Sequence, residues 1–432
     1  MRPPEAFRAE AESRWRKARR YARGLGAMAR SRWRTRRPFF LAHAATFGCN
    51  SKCPTCSYRK LTPRMKEDLS TGEVFDLLQE AWEAGMRGYY LFGGEPLVRK
   101  GVGALVDRAR EIGFVTTRNT NGSLLAAKAP QLTGLDFAFV SLDYFDRYHD
   151  IIRGRPGSYD EVVRGVERLR ALAGTKVTLV TTISTLNLGA MEPMARLAER
   201  LGVTISYNSV EPTLDFGLTE SSASPNLRLG LSEKQLQGFY ETLLGLKRDG
   251  YPLLETETVL RDFVEGRPWK CEFPKMFVYV SPDKKTYSCD YRYGYDLRTG
   301  SFEGYFTSPT WKQHVVEAEG CNRCVRTCVR GYSYAYEFRL GNLLELAGDA
   351  RTLFRAHAPR PRVGPPRPVL RQTVPDPPAA PRGGPGGGRR RTGAARGRVS
   401  TDGKGRVGPF IQASARLLPR LAAHEGTFPA ET

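Results

Sequence analysis

The stretch Cys49-Asn50-Ser51-Lys52-Cys53-Pro54-Thr55-Cys56 places three thiols within eight residues, directly after the apolar run Phe40–Phe47. A loop this short can direct its thiolates at three corners of a cubic iron–sulfur cluster, and it holds no fourth cysteine. One iron of such a cluster stays open. The stretch therefore predicts a cluster that can bind a further ligand.

From Phe40 onward, strand-like apolar runs alternate with amphipathic helical runs. The predicted strands are 40–47, 89–92, 114–119, 137–142, 176–183 and 203–208. The capping boxes at Ser70/Glu73 and Ser158/Glu161 each predict the start of a helix, and Asn187 predicts the start of a third. Six strand–helix alternations predict an α/β fold, a partial (β/α)6 TIM-like barrel whose chemistry lies at the carboxyl ends of its parallel strands.

Glycine-rich and polar motifs follow the second, third and fourth predicted strands. They are Gly93-Gly94-Glu95-Pro96, Thr120-Asn121-Gly122 and Ser141-Leu142-Asp143. Adjacent glycines let the backbone approach a ligand closely, and the Glu95 carboxylate can hold an ammonium group. Because the carboxyl ends of parallel strands meet at one edge, these motifs are expected beside the cysteine loop.

Taken with the cysteine loop, residues 40–210 resemble the radical S-adenosylmethionine (radical SAM) superfamily. The matching motifs are Cys-x3-Cys-x2-Cys, Gly-Gly-Glu-Pro and the run from Ser141 to Tyr159, which includes His149-Asp150 and Arg153-Gly154. This run is similar to that of the subgroup that matures peptides and carries extra clusters in a C-terminal extension. Thr55, usually aromatic, and Tyr144, usually glycine, depart from the pattern without removing a ligand.

The resemblance implies a role for each matching residue. Cys49, Cys53 and Cys56 would hold a [4Fe–4S] cluster whose open iron binds the amino and carboxylate groups of S-adenosylmethionine. Glu95 would receive the amino group, and Arg153 would meet the carboxylate. The full set of implied cofactor-binding residues is Gly93, Gly94, Glu95, Asn121, Ser141, Asp143, Arg153 and Asn208, of which Ser141 and Asp143 would line the ribose and Asn208 the adenosine.

Five further cysteines lie in the C-terminal half: Cys271, Cys289, Cys321, Cys324 and Cys328. A hairpin of 276–280 and 286–289 is predicted among them. This region looks like the family's SPASM extension or its shortened twitch form, which implies one auxiliary [4Fe–4S] cluster held by four of the five thiols. Lys284 stands where the full form usually has glycine. Structural zinc is the alternative, because thiol spacing does not separate zinc from iron.

The cysteine spacings are too tight for easy pairing within a loop, so metal-ligating thiols are favoured over disulfides. Such thiols indicate a reducing compartment and hence the cytoplasm, with peripheral membrane contact as a further option. Thr35–Leu41 looks like a twin-arginine export signal, but its apolar run leads straight into the cysteine loop, which favours a first strand. His43 and His149 are interpreted as structural histidines.

The net charge of +22 is concentrated at the two ends of the chain. Residues 1–40 carry 13 arginines and lysines against 3 glutamates, and residues 359–432 carry 14 against 4 acidic residues. The segment up to residue 37 either lies on anionic lipid, touches nucleic acid, or forms a solvated helix that packs partly on the body. The proline- and glycine-rich tail is expected to be disordered and to bind polyanions only nonspecifically.

The predicted division of the chain is a basic amphipathic segment (1–38), a radical SAM partial barrel (39–225), a helical bridge (226–265), an auxiliary cluster domain (266–345), a short helix (346–357) and a basic tail (358–432). The leading hypothesis is an enzyme that cleaves S-adenosylmethionine to a 5′-deoxyadenosyl radical and abstracts hydrogen from a ribosomally made peptide, for oxidation or crosslinking. It implies a reducing partner such as flavodoxin or ferredoxin. The alternatives are a lipid or isoprenoid substrate at a membrane, and a noncatalytic iron–sulfur carrier or nucleic-acid-binding scaffold.

Overall fold

The computed structural model describes residues 12–56, 68–172, 174–210, 229–287, 294–321 and 324–354. Its strands are β1 (Phe40–Ala44), β2 (Gly88–Phe92), β3 (Val115–Thr120), β4 (Phe137–Ser141), β5 (Lys176–Ile183), β6 (Thr204–Ser209), β7 (Phe277–Val280), β8 (Lys285–Tyr287) and β9 (Tyr295–Asp296). Its helices are α1 (Arg14–Arg30), α2 (Thr71–Glu83), α3 (Val102–Ile112), α4 (Leu125–Lys128), α5 (Tyr148–Arg153), α6 (Ser158–Leu172), α7 (Met191–Leu201), α8 (Glu233–Arg248), α9 (Glu257–Val264), α10 (Phe302–Thr307), α11 (Pro309–Glu319), α12 (Thr327–Tyr336) and α13 (Leu340–Phe354). Within these ranges, no helix has both the length and the apolar character needed to cross a lipid bilayer.

The strands form one sheet in the order β6-β5-β4-β3-β2-β1-β7-β8-β9. Neighbours from β6 to β7 run parallel, while β8 and β9 are antiparallel additions at the edge. In the register of β1, Phe40 lies opposite Gly88 on one side and Phe277 on the other. The parallel sheet confirms the predicted α/β class and is consistent with a partial TIM-like barrel.

The two faces of the sheet bury separate apolar clusters, as the alternation of side chains along a strand requires. On one face Leu41 of β1 packs in a cluster with helix residues such as Leu77. On the other face Ala42 belongs to a cluster with Phe277 and Tyr336 from the C-terminal region. The C-terminal region therefore contacts the face of the barrel sheet that the helices α2, α3, α6 and α7 leave open.

Helix α1 lies across the amino-terminal ends of the strands. Arg20 Nη1 donates to the carbonyl of Phe114 (3.0 Å), just before β3, and its Nη2 donates to Asp136 (2.9 Å), just before β4. Farther along, Ser31 Oγ donates to the carbonyl of Lys275, two residues before β7. Residues 14–31 therefore pack on the body of the protein along one side.

The helix starts confirm one predicted capping box and contradict another. Ser70 caps α2, and the side chain of Glu73 returns a bond to the Ser70 N–H. Ser158 is instead the first residue of α6, and within the described structure its buried Oγ has no hydrogen-bond partner. Glu161 forms an ion pair with Arg155 at 3.0 Å. That pair diverts the glutamate that a capping box needs.

The predicted cap at Asn187 and the predicted end of the first strand are also wrong. Helix α7 begins at Met191, and the Asn187 side chain donates to the carbonyl of Asp143 (2.9 Å) instead of capping the helix. Strand β1 ends at Ala44, three residues earlier than predicted, although Ala45 N still donates to the carbonyl of Phe92.

The predicted C-terminal hairpin is confirmed by β7 and β8, in which Val280 pairs with Thr286. Lys284 in its turn has a φ of 61°, a conformation that glycine adopts more easily than other residues. The parallel pairing of β7 with β1 was not predicted. The predictions for Cys289 and for the tail beyond residue 354 concern positions outside the described residues.

Candidate active site at the carboxyl ends of the strands

The cysteine loop is held against the glycine-rich loop that follows β2. Gly94 N donates to the carbonyl of Thr46, and Glu95 N donates to the carbonyl of Gly48, each at 2.8 Å. A Cβ at Gly94 would lie 2.3 Å from the Gly48 oxygen, and one at Gly93 would lie 2.2 Å from the Thr46 oxygen. Only glycine permits this approach, so the two loops form one unit.

The middle of the cysteine loop is held from a second side by the end of α5. Lys52 N donates to the carbonyl of Arg153 (3.0 Å), and a Cβ at Gly154 would lie 2.8 Å from the Lys52 oxygen. Within the loop, Cys56 N donates to the carbonyl of Cys53 (3.2 Å). The predicted Arg153-Gly154 motif is thus packed directly on the loop that carries the thiols.

Hydrogen-bond donors lie beside two of the cysteine sulfurs. Ser51 N donates to Cys49 Sγ (3.4 Å), and Asn121 Nδ2 lies 3.9 Å from the same sulfur. Arg153 Nη1 lies 4.0 Å from Cys53 Sγ. Burial raises the pKa of the Cys49 thiol, and the Ser51 N–H opposes that rise. Donors around sulfur stabilise the thiolate that binds iron, so this set fits the ligands of an iron–sulfur cluster.

Glu95 ties the second and third strand ends together. Its fully buried carboxylate accepts hydrogen bonds from Leu97 N (2.8 Å), Thr120 Oγ1 (2.8 Å) and Asn121 N (2.5 Å). Arg118 Nη2 lies 3.5 Å away and supplies the compensating charge. Because the chain itself engages both carboxylate oxygens, Glu95 acts here as a positioning residue for the loops.

Arg118 is a buried cation with spare donors. Both it and Glu95 are fully shielded from solvent, and burial lowers the pKa of Arg118 to about 10. In the part of the chain that the structure describes, Arg118 Nε and Nη1 have no hydrogen-bond partner. The pair therefore depends on each partner to offset the cost of burying the other.

Asn121 connects the third strand end to the cysteine loop. Its Nδ2 donates to Asn50 Oδ1 (2.8 Å) and Ser51 Oγ (3.1 Å), while its Oδ1 accepts from Ser123 N (3.0 Å). The side chain predicted to bind a cofactor therefore also holds the loop between the first two cysteines.

A second network surrounds Asp143 after β4. Arg153 Nε lies 2.7 Å from Asp143 Oδ2, and Thr182 N donates to Oδ1 (2.9 Å). Asp143 N donates to His149 Nδ1 (3.0 Å), and burial holds the pKa of His149 well below its usual value. Asn187 binds the Asp143 carbonyl. The neutral His149 and Asn187 thus fix the backbone of Asp143, whose carboxylate pairs with Arg153.

Asn208, at the end of β6, faces the C-terminal region. Its Oδ1 accepts from Thr327 Oγ1 (3.2 Å) and lies 3.4 Å from Cys328 N. Beside it, the buried Glu255 carboxylate accepts from Ser206 Oγ (2.7 Å) and Thr327 Oγ1 (3.3 Å), and burial raises the pKa of Glu255. The end of β6 is therefore joined to the cysteines beyond residue 320.

Three of the C-terminal cysteines, Cys271, Cys324 and Cys328, share the apolar cluster that contains Phe277. Burial raises the pKa of the Cys328 thiol to about 11. Cys321 lies two residues after α11 and is half-buried. Within the described ranges, which omit Cys289, no three His, Cys, Asp or Glu side chains form a ready-made metal site. The case for clusters rests on donor chemistry.

The structure brings the predicted residues at the first four strand ends into contact through two linked networks, and Ser141 ends β4 within the same edge. Arg118 and Glu255 were not predicted, and Ser51, Thr120 and Asn187 were named in the sequence without the contacts they make here. One signal was available: Thr116, Arg118 and Thr120 are polar at alternate positions of a central strand. Polar groups on one buried face need partners, and here Glu95 is such a partner.

Residues 44–198 match the sequence pattern of the radical SAM superfamily. The matched range begins at the end of β1, contains the cysteine loop and both networks, and ends within α7. This part of the chain is a radical SAM domain. The match implies that this domain binds a [4Fe–4S] cluster and S-adenosylmethionine. It also supports the interpretation of the protein as an enzyme.

Two relatives show the range of proteins that share the radical SAM domain. The AdoMet-dependent heme synthase of Methanosarcina barkeri is 30% identical over 178 residues, which cover 40% of this chain and 50% of that protein. The PqqA peptide cyclase of Granulibacter bethesdensis is 28% identical over 258 residues, covering 58% of this chain and 67% of that protein. The chain thus spans only half of the heme synthase.

A solved structure extends the similarity in fold beyond the radical SAM domain. SuiB of Streptococcus suis, bound to its precursor peptide SuiA, superimposes with a TM-score of 0.52 at 12% identity. The match covers 70% of this chain and 72% of that chain. At this identity the likeness concerns the fold alone.

Proposed function

We propose that the protein is a radical SAM enzyme that cleaves S-adenosylmethionine reductively and abstracts hydrogen from a ribosomally made peptide, for oxidation or crosslinking. The observation that carries the proposal is the Glu95 network, which joins the glycine-rich loop and Asn121 to the loop of Cys49, Cys53 and Cys56. Cys49, Cys53 and Cys56 would hold a [4Fe–4S] cluster, which would supply the electron for reductive cleavage of S-adenosylmethionine.

The side chains around the cysteine loop bind and orient that cofactor. As the resemblance implies, the Gly93-Gly94 backbone, which is held against the cysteine loop, would receive the amino group of the methionine moiety. Arg153, 4.0 Å from Cys53 Sγ, brings a cation to the same place for the carboxylate. Asp143 neutralises Arg153 and, with Ser141, borders the ribose. Glu95 and Asn121 hold the loops, and Asn208 closes the adenosine side toward α12.

We further propose that residues 266–345 form an auxiliary domain within the division given above, with one [4Fe–4S] cluster held by four of the five C-terminal thiols. In support, Cys271, Cys324 and Cys328 lie in one apolar cluster on the open face of the barrel sheet. A cluster in this position would accept an electron from the substrate radical or bind the substrate. Zinc is the competing occupant, and counting metals distinguishes the two.

The position of α1 favours a soluble peptide over a lipid substrate. The lipid hypothesis relied on the basic N-terminal segment to bring the barrel mouth to a membrane. Arg20 places this helix at the starts of β3 and β4, opposite to the strand ends that carry the cysteine loop. The peptide cyclase relative supports the same choice. The proposed location is the cytoplasm.

A tetrapyrrole is the second candidate substrate. The heme synthase relative gives this candidate its chemical precedent.

The test is anaerobic reconstitution with iron and sulfide, followed by reduction with dithionite or flavodoxin. We expect cleavage of S-adenosylmethionine to 5′-deoxyadenosine, lost in Cys53→Ala. Intact S-adenosylmethionine with a fully loaded cluster would instead support a noncatalytic carrier or scaffold.

Peptides encoded beside the gene and coproporphyrin, each deuterated, then report the substrate by deuterium transfer into 5′-deoxyadenosine. Deuterium from the porphyrin alone would overturn the peptide assignment.

A further inference from the structure

One side of helix α1 anchors it to the barrel. Arg20 is buried between Glu12 and Asp136, and Tyr21 stacks on Phe137 with ring centroids 6.2 Å apart. One turn and a half later, Ala27 is buried in the apolar cluster of the open sheet face. These contacts fix which side of the helix faces outward.

The outward side carries an apolar stripe of Trp15, Leu25 and Trp33, which we call the outer stripe. Their exposed fractions are 86%, 65% and 64%. Trp15 and Leu25 lie on the outward side of α1, about 80° apart around its axis at 3.6 residues per turn. Trp33 lies in the π-helical turn Ser31–Thr35 that follows α1, where its ring meets Phe338 with centroids 4.6 Å apart and stays largely exposed. Monomeric proteins expose single apolar residues freely, but three large ones on the outward side of one short segment indicate a contact surface.

Arginines border the outer stripe. The exposed ones are Arg14, Arg16, Arg19, Arg23, Arg30, Arg34 and Arg36. From residue 14 to residue 37 the sequence has ten arginines, one lysine and no acidic residue. A surface that combines exposed tryptophans with many arginines is complementary to the headgroup region of an anionic membrane. There the tryptophan rings lie among the headgroups, and the guanidinium groups contact phosphates.

We propose that the outer stripe and its arginines dock the protein on an anionic lipid surface. A second copy of the chain is a poor occupant, because it would bring like-charged helices together. The strands of the barrel are about 20 Å long, so the cysteine loop lies at the far end of the sheet from α1. Docking through α1 therefore points the candidate active site away from the bilayer, and substrate enters from water.

The experiment measures binding of the reconstituted full chain to vesicles of phosphatidylcholine, with and without phosphatidylglycerol. Binding is expected only with phosphatidylglycerol. Trp15→Ser/Leu25→Ser/Trp33→Ser should lower the partition coefficient by roughly tenfold or more, because the apolar contact is lost. The control, Val98→Ser/Ile151→Ser, removes exposed apolar residues at the opposite, carboxyl ends of the strands and should bind as the wild type does.

A depth readout separates α1 from the basic tail, which can also bind anionic lipid. Brominated acyl chains should quench the fluorescence of Trp15 and Trp33, so the quenched fraction should disappear in Trp15→Phe/Trp33→Phe and persist in Trp82→Phe/Trp311→Phe. The proposal is overturned if the triple serine variant binds vesicles as tightly as the wild type. It is equally overturned if that variant loses single-stranded RNA binding or dissociates a dimer while vesicle binding is unchanged.

Discussion

At the scale of single residues, the Glu95–Arg118 pair decides the shape of the candidate site. Its carboxylate organises two loops, yet neither partner reaches solvent. A buried ion pair adds little stability over apolar residues, whereas removal of one partner leaves a charge that nothing offsets. The pair therefore matters because Glu95 positions the glycine-rich loop and the loop of Asn121.

Glu95→Gln keeps the size of the side chain and removes the charge that offsets Arg118. We expect the free energy of unfolding, measured by urea titration, to fall by about 3 kcal/mol. Glu80→Gln is the control, since Glu80 is partly exposed in its pair with Lys284, and it should cost less than about 1 kcal/mol. Equal losses in the two variants would contradict the role given to Glu95.

Because of His43, we expect the free energy of unfolding to fall in acid. Its ring lies fully buried with Nδ1 3.0 Å from Tyr89 Oη, and burial, aided by Arg99, lowers its pKa to about 3. The unfolded chain, with a pKa near 6.5, binds a proton that the folded chain refuses, so stability falls as the pH falls through this window.

In His43→Gln, the slope of unfolding free energy against pH between pH 6.5 and 5 should decrease by up to about 1.4 kcal/mol per pH unit. Tyr89→Phe should keep the wild-type slope, because the histidine remains. Urea titrations at several pH values measure both slopes. An unchanged slope in His43→Gln would show that other groups set the acid sensitivity.

At the scale of elements, the contact between the cysteine loop and the glycine-rich loop tolerates no side chain. Gly94→Ala would place a Cβ 2.3 Å from the Gly48 oxygen, so the two loops must separate. We expect a folded protein with clearly less iron after reconstitution. Gly72→Ala, where a Cβ meets nothing within 4 Å, should keep its iron and gain up to about 1 kcal/mol in stability. Full iron content in Gly94→Ala would refute the contact.

The docking of α1 gives a second prediction at this scale. Arg20→Met removes the cation that pairs with Asp136 and should cost about 3 kcal/mol in unfolding free energy. Arg19→Met changes an exposed neighbour and should shift stability by less than about 0.5 kcal/mol. If both variants unfold at the wild-type urea concentration, α1 is not part of the cooperative unit.

At the scale of the whole molecule, two clusters make a countable prediction. The wild type should hold about eight irons per chain, four in each [4Fe–4S] cluster. Cys53→Ala and Cys324→Ala should each retain about four, but only Cys53→Ala should lose cleavage of S-adenosylmethionine. Four irons plus one zinc in the wild type would assign the C-terminal thiols to zinc.

Local signals predicted the elements well, and distant partners account for what they missed. The alternation of strand and helix, and the capping box at Ser70, depend on neighbours in sequence and could be read directly. Ser158 and Asn187 show the same local pattern, but Arg155 and Asp143 draw the Glu161 and Asn187 side chains away. Such competition is visible only once the chain is folded.

The candidate site was predicted in outline for the same reason. Cysteine spacing and the strand-end motifs identified which residues gather. The sequence did not reveal that the Glu95 carboxylate turns inward, because its partner Arg118 lies on a different strand. Nor could periodicity show that β7 would pair with β1, since the register between strands so far apart is set by packing.

The pairing of β1 between β2 and β7 has a consequence for synthesis on the ribosome. About 230 residues separate the end of β1 from the start of β7. At the usual elongation rates this interval lasts on the order of 10–50 s. During that time one edge of the nascent strand has no neighbour. A cluster loaded onto the cysteine loop in this interval would be in place before β7 pairs with β1.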